Sequence, residues 1–251
     1  METVNDLHGD LINLARIIQH PADGPQLYRR LRRTLMVADI HLEAKAELEK
    51  PFEPGLQRAY WYFMSSWLGR NGCAGTGSYN NGFCVRYTAN GGHAATRWAS
   101  TIDSIPAWRR RLRGVTITNL DAFKLLEKIE DAKGTAIYLD PPYLVKGANY
   151  THDFEPGDHE RLAAAAKRFR KARVVVSYYD HPRLDELYPA WTRERITVSK
   201  ALANQNKRGR VTASATEVLL CNQSLPSSGL FGSIDTMEEA SKELETGPKL
   251  K

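Results

Sequence analysis

Cysteine is scarce in this chain of 251 residues: three are present, Cys73, Cys84 and Cys221, an odd number with neither Cys-x-x-Cys nor Cys/His spacing. That scarcity argues against a disulfide framework or a structural zinc site and leaves free thiols. Long apolar runs are missing too; none approaches the roughly 18 residues that cross a bilayer, so no membrane helix is expected. The first twenty residues carry acids among their apolar positions and lack a basic leader. A secretory signal is therefore not expected, and the cytoplasm is the expected compartment. Nor is there a phosphate loop in the right setting. The "GTGS" at 75–78 is preceded by helical pattern and followed by turns, whereas such a loop must leave a buried strand and open a helix. His93, His152 and His181 have no triad or metal partner at a recognisable spacing, and no metal is expected.

What is present is ordinary soluble composition with a positive surplus. Hydrophobic residues make up 42% and charged residues 25%, enough for one large α/β domain or a core domain carrying an insertion. Net charge is +6, and because residues 224–251 net −2, the remainder carries +8. A surplus of that size favours a polyanionic partner through counterion release.

Along the chain, "DLHGDLINLARIIQHP" places Leu7, Leu11, Leu14, Ala15 and Ile18 on one helical face and stops at Pro21. Residues 28–69 remain helical in pattern, and "LQRAYWYFMSSWLG" stacks Tyr60, Phe63, Met64 and Trp67 at turn spacing, as core helices do. Residues 70–92 are rich in Gly, Asn, Ser and Thr around "FCVRYT", which reads as a projecting loop or hairpin. From Gly114 strands and helices alternate: "GVTITNLD", "AFKLLEKIED", "TAIYLD", "DHERLAAAAKRFRKA" and "RVVVSYYD". Such alternation implies a mainly parallel sheet. "RERITVSK" and "ATEVLLCN" are expected to close one edge as an antiparallel pair across the basic loop "ALANQNKRGRVTAS", and the tail after Asn222 is expected to be disordered or a loosely docked helix. No internal repeat is visible.

The stretch "TAIYLDPPYLV" runs an apolar strand into an acid, two prolines and a tyrosine. Ligands of open parallel sheets bind beyond the carboxyl ends of the strands, where Asp140 to Tyr143 fall. Two prolines fix the turn and donate no N–H. Asp140 and the Pro141 carbonyl can then accept hydrogens from one exocyclic amino group, while Tyr143 offers a flat face for stacking. A planar amine such as adenine suits this arrangement better than a hydroxyl or a phosphate.

"DPPY" at this place resembles the amino-methyltransferase motif of adenine-specific DNA methyltransferases of the Dam-like, D12 class. The resemblance runs from Met1 to about Asn222: "VNDLHGDLINLARII" looks like the family's segment after its second strand, and "ITNLDAF" like the segment after its third. It implies a Rossmann-like S-adenosylmethionine-dependent α/β sheet with a helical and loop DNA-recognition insertion. The implied organisation is 1–27 as the start of the catalytic domain, 28–113 as the insertion, 114–223 as the catalytic α/β domain with the motif, and 224–251 as a tail. Asp140, Pro141, Pro142 and Tyr143 are the implied catalytic residues, and Asp6, Asp121 and Asp140 the implied contacts to S-adenosylmethionine. Double-stranded DNA is the implied partner, with Arg86 and Tyr87 in the hairpin, Arg97, Lys207, Arg208 and Arg210 as candidate contacts. Related amino-methyltransferases act on cytosine N4, RNA adenine or protein glutamine; the aspartate and the order of segments favour DNA adenine, in a restriction, phage or solitary setting. The family's glycine-rich cofactor loop and the strand before it have no counterpart ahead of Asn5 in this sequence. The alternatives are therefore a fragment or mis-started reading of a full enzyme, one half of a split methyltransferase completed by a separate polypeptide, or a truncated, non-catalytic DNA-binding remnant.

Overall fold

The computed structural model describes residues 1–69, 82–84, 93–144, 152, 154–199 and 214–224. The chain is a mixed α/β protein that divides into two compact units, 1–129 with 148–153, and 130–147 with 154–251.

The first unit opens with a short strand, β1 (Glu2–Asn5), which pairs in parallel with β2 (Val115–Thr118) from Glu2 opposite Val115 to Asn5 opposite Thr118. Between them lie α1 (Gly9–Gln19), α2 (Asp23–Arg32), α3 (Ala38–Glu49), α4 (Leu56–Leu68) and α5 (Ala94–Leu112), and α6 (Ala122–Lys128) follows β2. The imidazole of His8 caps α1 by accepting the Leu11 N–H, and the helix ends at His20, ahead of Pro21. Its buried face differs from the expected one: Leu7 precedes the first turn and is 41% exposed, whereas Ile12, Leu14, Ile17 and Ile18 are buried. The reason is that α1 packs against α2, α4 and α5 together, so more than one stripe is covered.

Helix α4 is buried almost all round. Tyr60, Trp61, Tyr62, Phe63, Met64 and Leu68 all lie in the core, with Phe63 edge-on to Trp98 at 5.7 Å between ring centres. Trp67 of the expected stripe is 43% exposed and stacks on Trp108 instead. Aromatic burial on this scale dominates the unit's stability, and truncating Phe63 to alanine would cost about 3–5 kcal/mol. Near the start of α4, Arg58 forms a two-pronged pair with Asp10 of α1, at 2.6 and 2.9 Å, and its remaining nitrogen donates to the Glu47 and Lys50 carbonyls at the end of α3. One guanidinium thus ties three helices, which suits its fixed fork of donors.

Of the region read as a projecting hairpin, 82–84 is described. Phe83 bridges antiparallel to Gly69, and the Cys84 N–H donates to the Leu68 carbonyl at 2.7 Å.

The second unit is built on a four-stranded sheet of β3 (Ala136–Leu139), β4 (Arg173–Tyr179), β5 (Thr192–Ser199) and β6 (Ser214–Cys221), in the order β3-β4-β6-β5. The β3–β4 pair is parallel, joined through α7 (Pro156–Lys167), and β6 pairs antiparallel with both β4 and β5. A four-residue helix, α8 (Leu184–Leu187), precedes β5. The two faces divide by the period-two rule for strands. Val174, Val176 and Tyr178 of β4 lie with Val218 and Leu220 of β6, all at 0% exposure, on the face where His159 of α7 meets Tyr178. The opposite face carries Val175, Leu219 and Cys221 as a small apolar cluster, together with the polar residues of the candidate site. Asp131 accepts the N–H groups of Arg170, Lys171 and Ala172, fastening the approach to β4. Those three donors hold its carboxyl below the usual carboxylate range.

Candidate active site

Strand β3 ends at Leu139, so Asp140 to Tyr143 leave the sheet at a carboxyl end beside β4. Leu139 lies opposite Val176, and the next pair in that register is Asp140 and Ser177. Parallel register puts both side chains on one face, and Tyr138, two residues before Asp140, joins them there. The contacts follow from this placement: the Ser177 hydroxyl donates to Asp140 Oδ1 at 2.8 Å, and the Tyr138 hydroxyl donates to Ser177 Oγ at 3.1 Å. Ser177 is fully buried, whereas Asp140 is exposed. Pro141 is buried and Pro142 half-buried, which anchors the turn under the acid.

Tyr143 is braced on the same face. Its hydroxyl donates to Glu217 of β6 at 3.0 Å, and its ring meets Tyr179 edge-on at 4.4 Å between centres. Glu217 lies opposite Tyr179 in the β4–β6 ladder, so both groups reach Tyr143 from neighbouring strands. Burial pushes the Tyr143 phenol well above its ordinary range, with the Asp140 charge and the bond to Glu217 acting in the same direction. The phenol is thus a neutral donor at physiological pH, and its ring is fixed at hydroxyl and edge.

In the first unit the expected acids stand just past the carboxyl ends of two adjacent parallel strands. Asp6 follows β1, where its Oδ1 accepts the His8 N–H at 2.7 Å and its carbonyl accepts from the Asn119 side chain at 2.7 Å. Asp121 follows β2 and caps α6, its Oδ1 accepting the Phe123 and Lys124 N–H groups at 3.0 and 3.2 Å. Asn5 laces the two strand ends together by accepting the Leu120 N–H and donating to the Leu120 carbonyl, both at 2.9 Å. Both acids are half-buried. A carboxylate has acceptor sites on two oxygens and these bonds fall on Oδ1, so the pair retains capacity for the hydroxyls and amines of a nucleoside. Behind Asp6, burial lowers the His8 imidazole below its ordinary value despite nearby Asp10 and Asp6, so it is neutral at physiological pH.

Of the candidate DNA contacts, Arg97 is exposed in the first turn of α5. The indole N–H of its neighbour Trp98 donates to the Thr34 carbonyl, which puts Arg97 near the end of α2, where Arg32 and Arg33 are also exposed. Arg86, Tyr87, Lys207, Arg208 and Arg210 lie outside the described residues, as do the "GTGS" stretch and the tail from 225 onward. Among the described residues no group of three or more His, Cys, Asp or Glu could hold a metal ion, and no helix is long and apolar enough to cross a membrane.

Sequence reading did not single out Ser177, Glu217 or Tyr138. The available signal was a lone serine inside the apolar run "VVVSYY" and a lone acid in "ATEVLLC", each a polar residue in a segment that otherwise reads as buried strand.

Comparison with protein families gives a match to the D12 class N6 adenine-specific DNA methyltransferases over residues 2–204. Comparison with curated proteins returns no match.

Proposed function

As the chain belongs to the D12 class N6 adenine-specific DNA methyltransferase family, and is on that ground a DNA methyltransferase, we propose that it methylates N6 of an adenine swung out of double-stranded DNA, with S-adenosylmethionine as methyl donor. The observation that supports this reading most is the pairing of an exposed, serine-held Asp140 with a braced Tyr143 at one sheet end. An adenine amino nitrogen is a poor nucleophile because its lone pair is delocalised into the ring. Asp140 and the Pro141 carbonyl would each accept one of its hydrogens, localising the lone pair toward the methyl group and opposing the positive charge that develops on nitrogen. Positioning and local electrostatics then do the chemistry. S-adenosylmethionine would supply the electrophilic methyl group and leave as the neutral thioether, and the methylated nitrogen would return to neutrality by giving up one proton along its hydrogen bond to Asp140 and from there to solvent, to which that acid is exposed. Asp6 and Asp121 are the proposed acceptors for its nucleoside part, with Asp140 a further contact.

Extracting the base from the duplex costs about a few kcal/mol, and stacking on Tyr143 would return roughly 1–3 kcal/mol of that. Arg97 is the described candidate for phosphate or guanine contact, with Arg86, Tyr87, Lys207, Arg208 and Arg210 proposed beside it. The proposed organisation is a Rossmann-like catalytic part in 1–27 and 114–223 with a recognition insertion in 28–113, acting in the cytoplasm.

The test is incubation of the chain with S-adenosylmethionine and unmethylated DNA, followed by digestion and mass spectrometry for N6-methyladenine. Asp140→Ala should lower the yield by about 10²–10³-fold while DNA binding and the melting transition persist. Undiminished N6-methyladenine from that variant would overturn the assignment.

A second reading has one observation in its favour. Among the described residues β1 pairs along one edge only, with β2. An open parallel edge accepts an added strand, which a separate polypeptide could supply to complete a split enzyme.

A further inference from the structure

We propose that Ser177 is the positioning residue that aims the Asp140 carboxylate at the amino group to be modified, and that Tyr138 sets the direction in which Ser177 donates. This rests on the reading of Asp140 as the acceptor of the adenine amine.

A serine hydroxyl has one hydrogen to give and two lone pairs, and a carboxylate can only accept. The 2.8 Å contact to Asp140 Oδ1 therefore uses the single hydrogen of Ser177, and the 3.1 Å contact from Tyr138 must run the other way, tyrosine donating and serine accepting. The line Tyr138 to Ser177 to Asp140 has one polarity. With the tyrosine hydrogen in place, the serine cannot turn its own toward Tyr138, and its rotor is held on the acid.

Position reinforces polarity. Ser177 is 0% exposed within β4, paired with Leu219 of β6 and one residue past the last β3–β4 pair, so its Oγ is held by a strand that is itself fixed in the sheet. Asp140 stands beyond the end of β3 and is exposed, and apart from the turn it has no regular structure of its own to fix its side chain. The buried hydroxyl thus transfers the rigidity of the sheet to an acid outside it. Because the bond falls on Oδ1, Oδ2 is the oxygen that meets the incoming amine.

A serine used only for packing would be replaceable by alanine without a catalytic effect. Here removal of the hydroxyl leaves both neighbours able to find water, since Asp140 and Tyr138 are exposed, Tyr138 at 63%. The fold is therefore expected to survive, and the loss to fall on orientation.

The test compares Ser177→Ala, Ser177→Thr, Tyr138→Phe and Asp140→Ala in the full chain, measuring kcat and KM for methyl transfer to unmethylated DNA. Ser177→Ala is expected to lower kcat about 10- to 100-fold with KM for DNA unchanged, as supporting contacts to functional ligands do. Ser177→Thr, which keeps the hydroxyl, should recover most of the rate, and Tyr138→Phe should give a smaller loss. A second measurement needs no turnover: in protein labelled with 13C at aspartate carboxyls, the Asp140 resonance, identified by its absence in Asp140→Ala, should move in Ser177→Ala and return in Ser177→Thr. Full transfer by Asp140→Ala would overturn the reading of the acid itself. Loss in Asp140→Ala with unchanged kcat in Ser177→Ala would overturn the role of the serine alone, as would an unmoved carboxyl resonance in Ser177→Ala, whether or not the chain turns over unaided.

Discussion

The carboxyl ends of β1 and β2 and the carboxyl end of β3 present acids of one chemical type held in two different ways. Asp6 and Asp121 take backbone N–H groups from residues two or three positions further along their own segments. Asp140 takes a side-chain hydroxyl from a strand 37 residues away. Acids of the first sort are oriented by the local turn that they also stabilise, so their substitution mixes a folding effect with any ligand effect. The second sort is oriented by tertiary structure through one replaceable group, and the two effects separate. Tyr143 belongs with Asp140, since its partner Glu217 is 74 residues away.

That contrast can be broken most forcefully at Tyr143. Tyr143→Ala should lower transfer by about 10- to 100-fold, the equivalent of a lost stack of roughly 1–3 kcal/mol, whereas Tyr143→Phe keeps the ring and should lose less. Kinetics in which the phenylalanine and alanine variants are equally impaired would show that the hydroxyl bond to Glu217, not the ring face, is what matters.

Asp121 gives the next largest effect, and here the two roles must be pulled apart. Asp121→Ala removes the cap of α6 and should cost about 1 kcal/mol of unfolding free energy. Asp121→Asn preserves a good cap, so chemical denaturation should report near-normal stability, while calorimetric titration with S-adenosylmethionine should show weakened binding. Unchanged affinity in the asparagine variant would leave Asp121 with its capping role only.

The smallest effect concerns the buried imidazole behind Asp6. Because burial depresses the folded-state value of His8, the unfolded chain takes up its proton first as pH falls below about 6.5. His8 thus contributes stability that is present above that value and lost as the pH drops through the folded-state value. Urea midpoints at pH 7.5 and 5.5 should diverge more for the native protein than for His8→Asn, which keeps a capping side chain without a titrating one. Parallel pH dependence in the two proteins would refute this.

Much of the second unit was readable in advance because its signals are local. "RVVVSYYD" is a continuous apolar run and folds as β4; "DHERLAAAAKRFRKA" carries helical spacing and folds as α7; "RERITVSK" and "ATEVLLCN" form the expected antiparallel pair as β5 and β6. The motif after β3 could be placed for the same reason. Strand β1 could not: "ETVN" is four residues long, largely exposed and without alternation, and what makes it a strand is a partner more than a hundred residues downstream. Helix α5 was hidden within a stretch carrying Pro106, a residue that ordinarily marks a helix end. Ser177 and Glu217 were obscured because their work is done across strands, in a register that composition does not encode.

The β1–β2 ladder also bears on the order in which the molecule can assemble. Asn5 and Leu120, joined at both ends of an amide side chain, are 115 residues apart. Closing a loop of that size costs on the order of 4 kcal/mol in chain entropy, more than a four-residue parallel ladder returns alone. The helices between them shorten that loop as they pack, through contacts such as Gln19 to the carbonyls of Leu112 and Val115. The edge that carries Asp6 and Asp121 is in this sense a late product of the helical core: its cohesion is borrowed from α1 to α5, and a lesion in that core would reach these two acids without touching either.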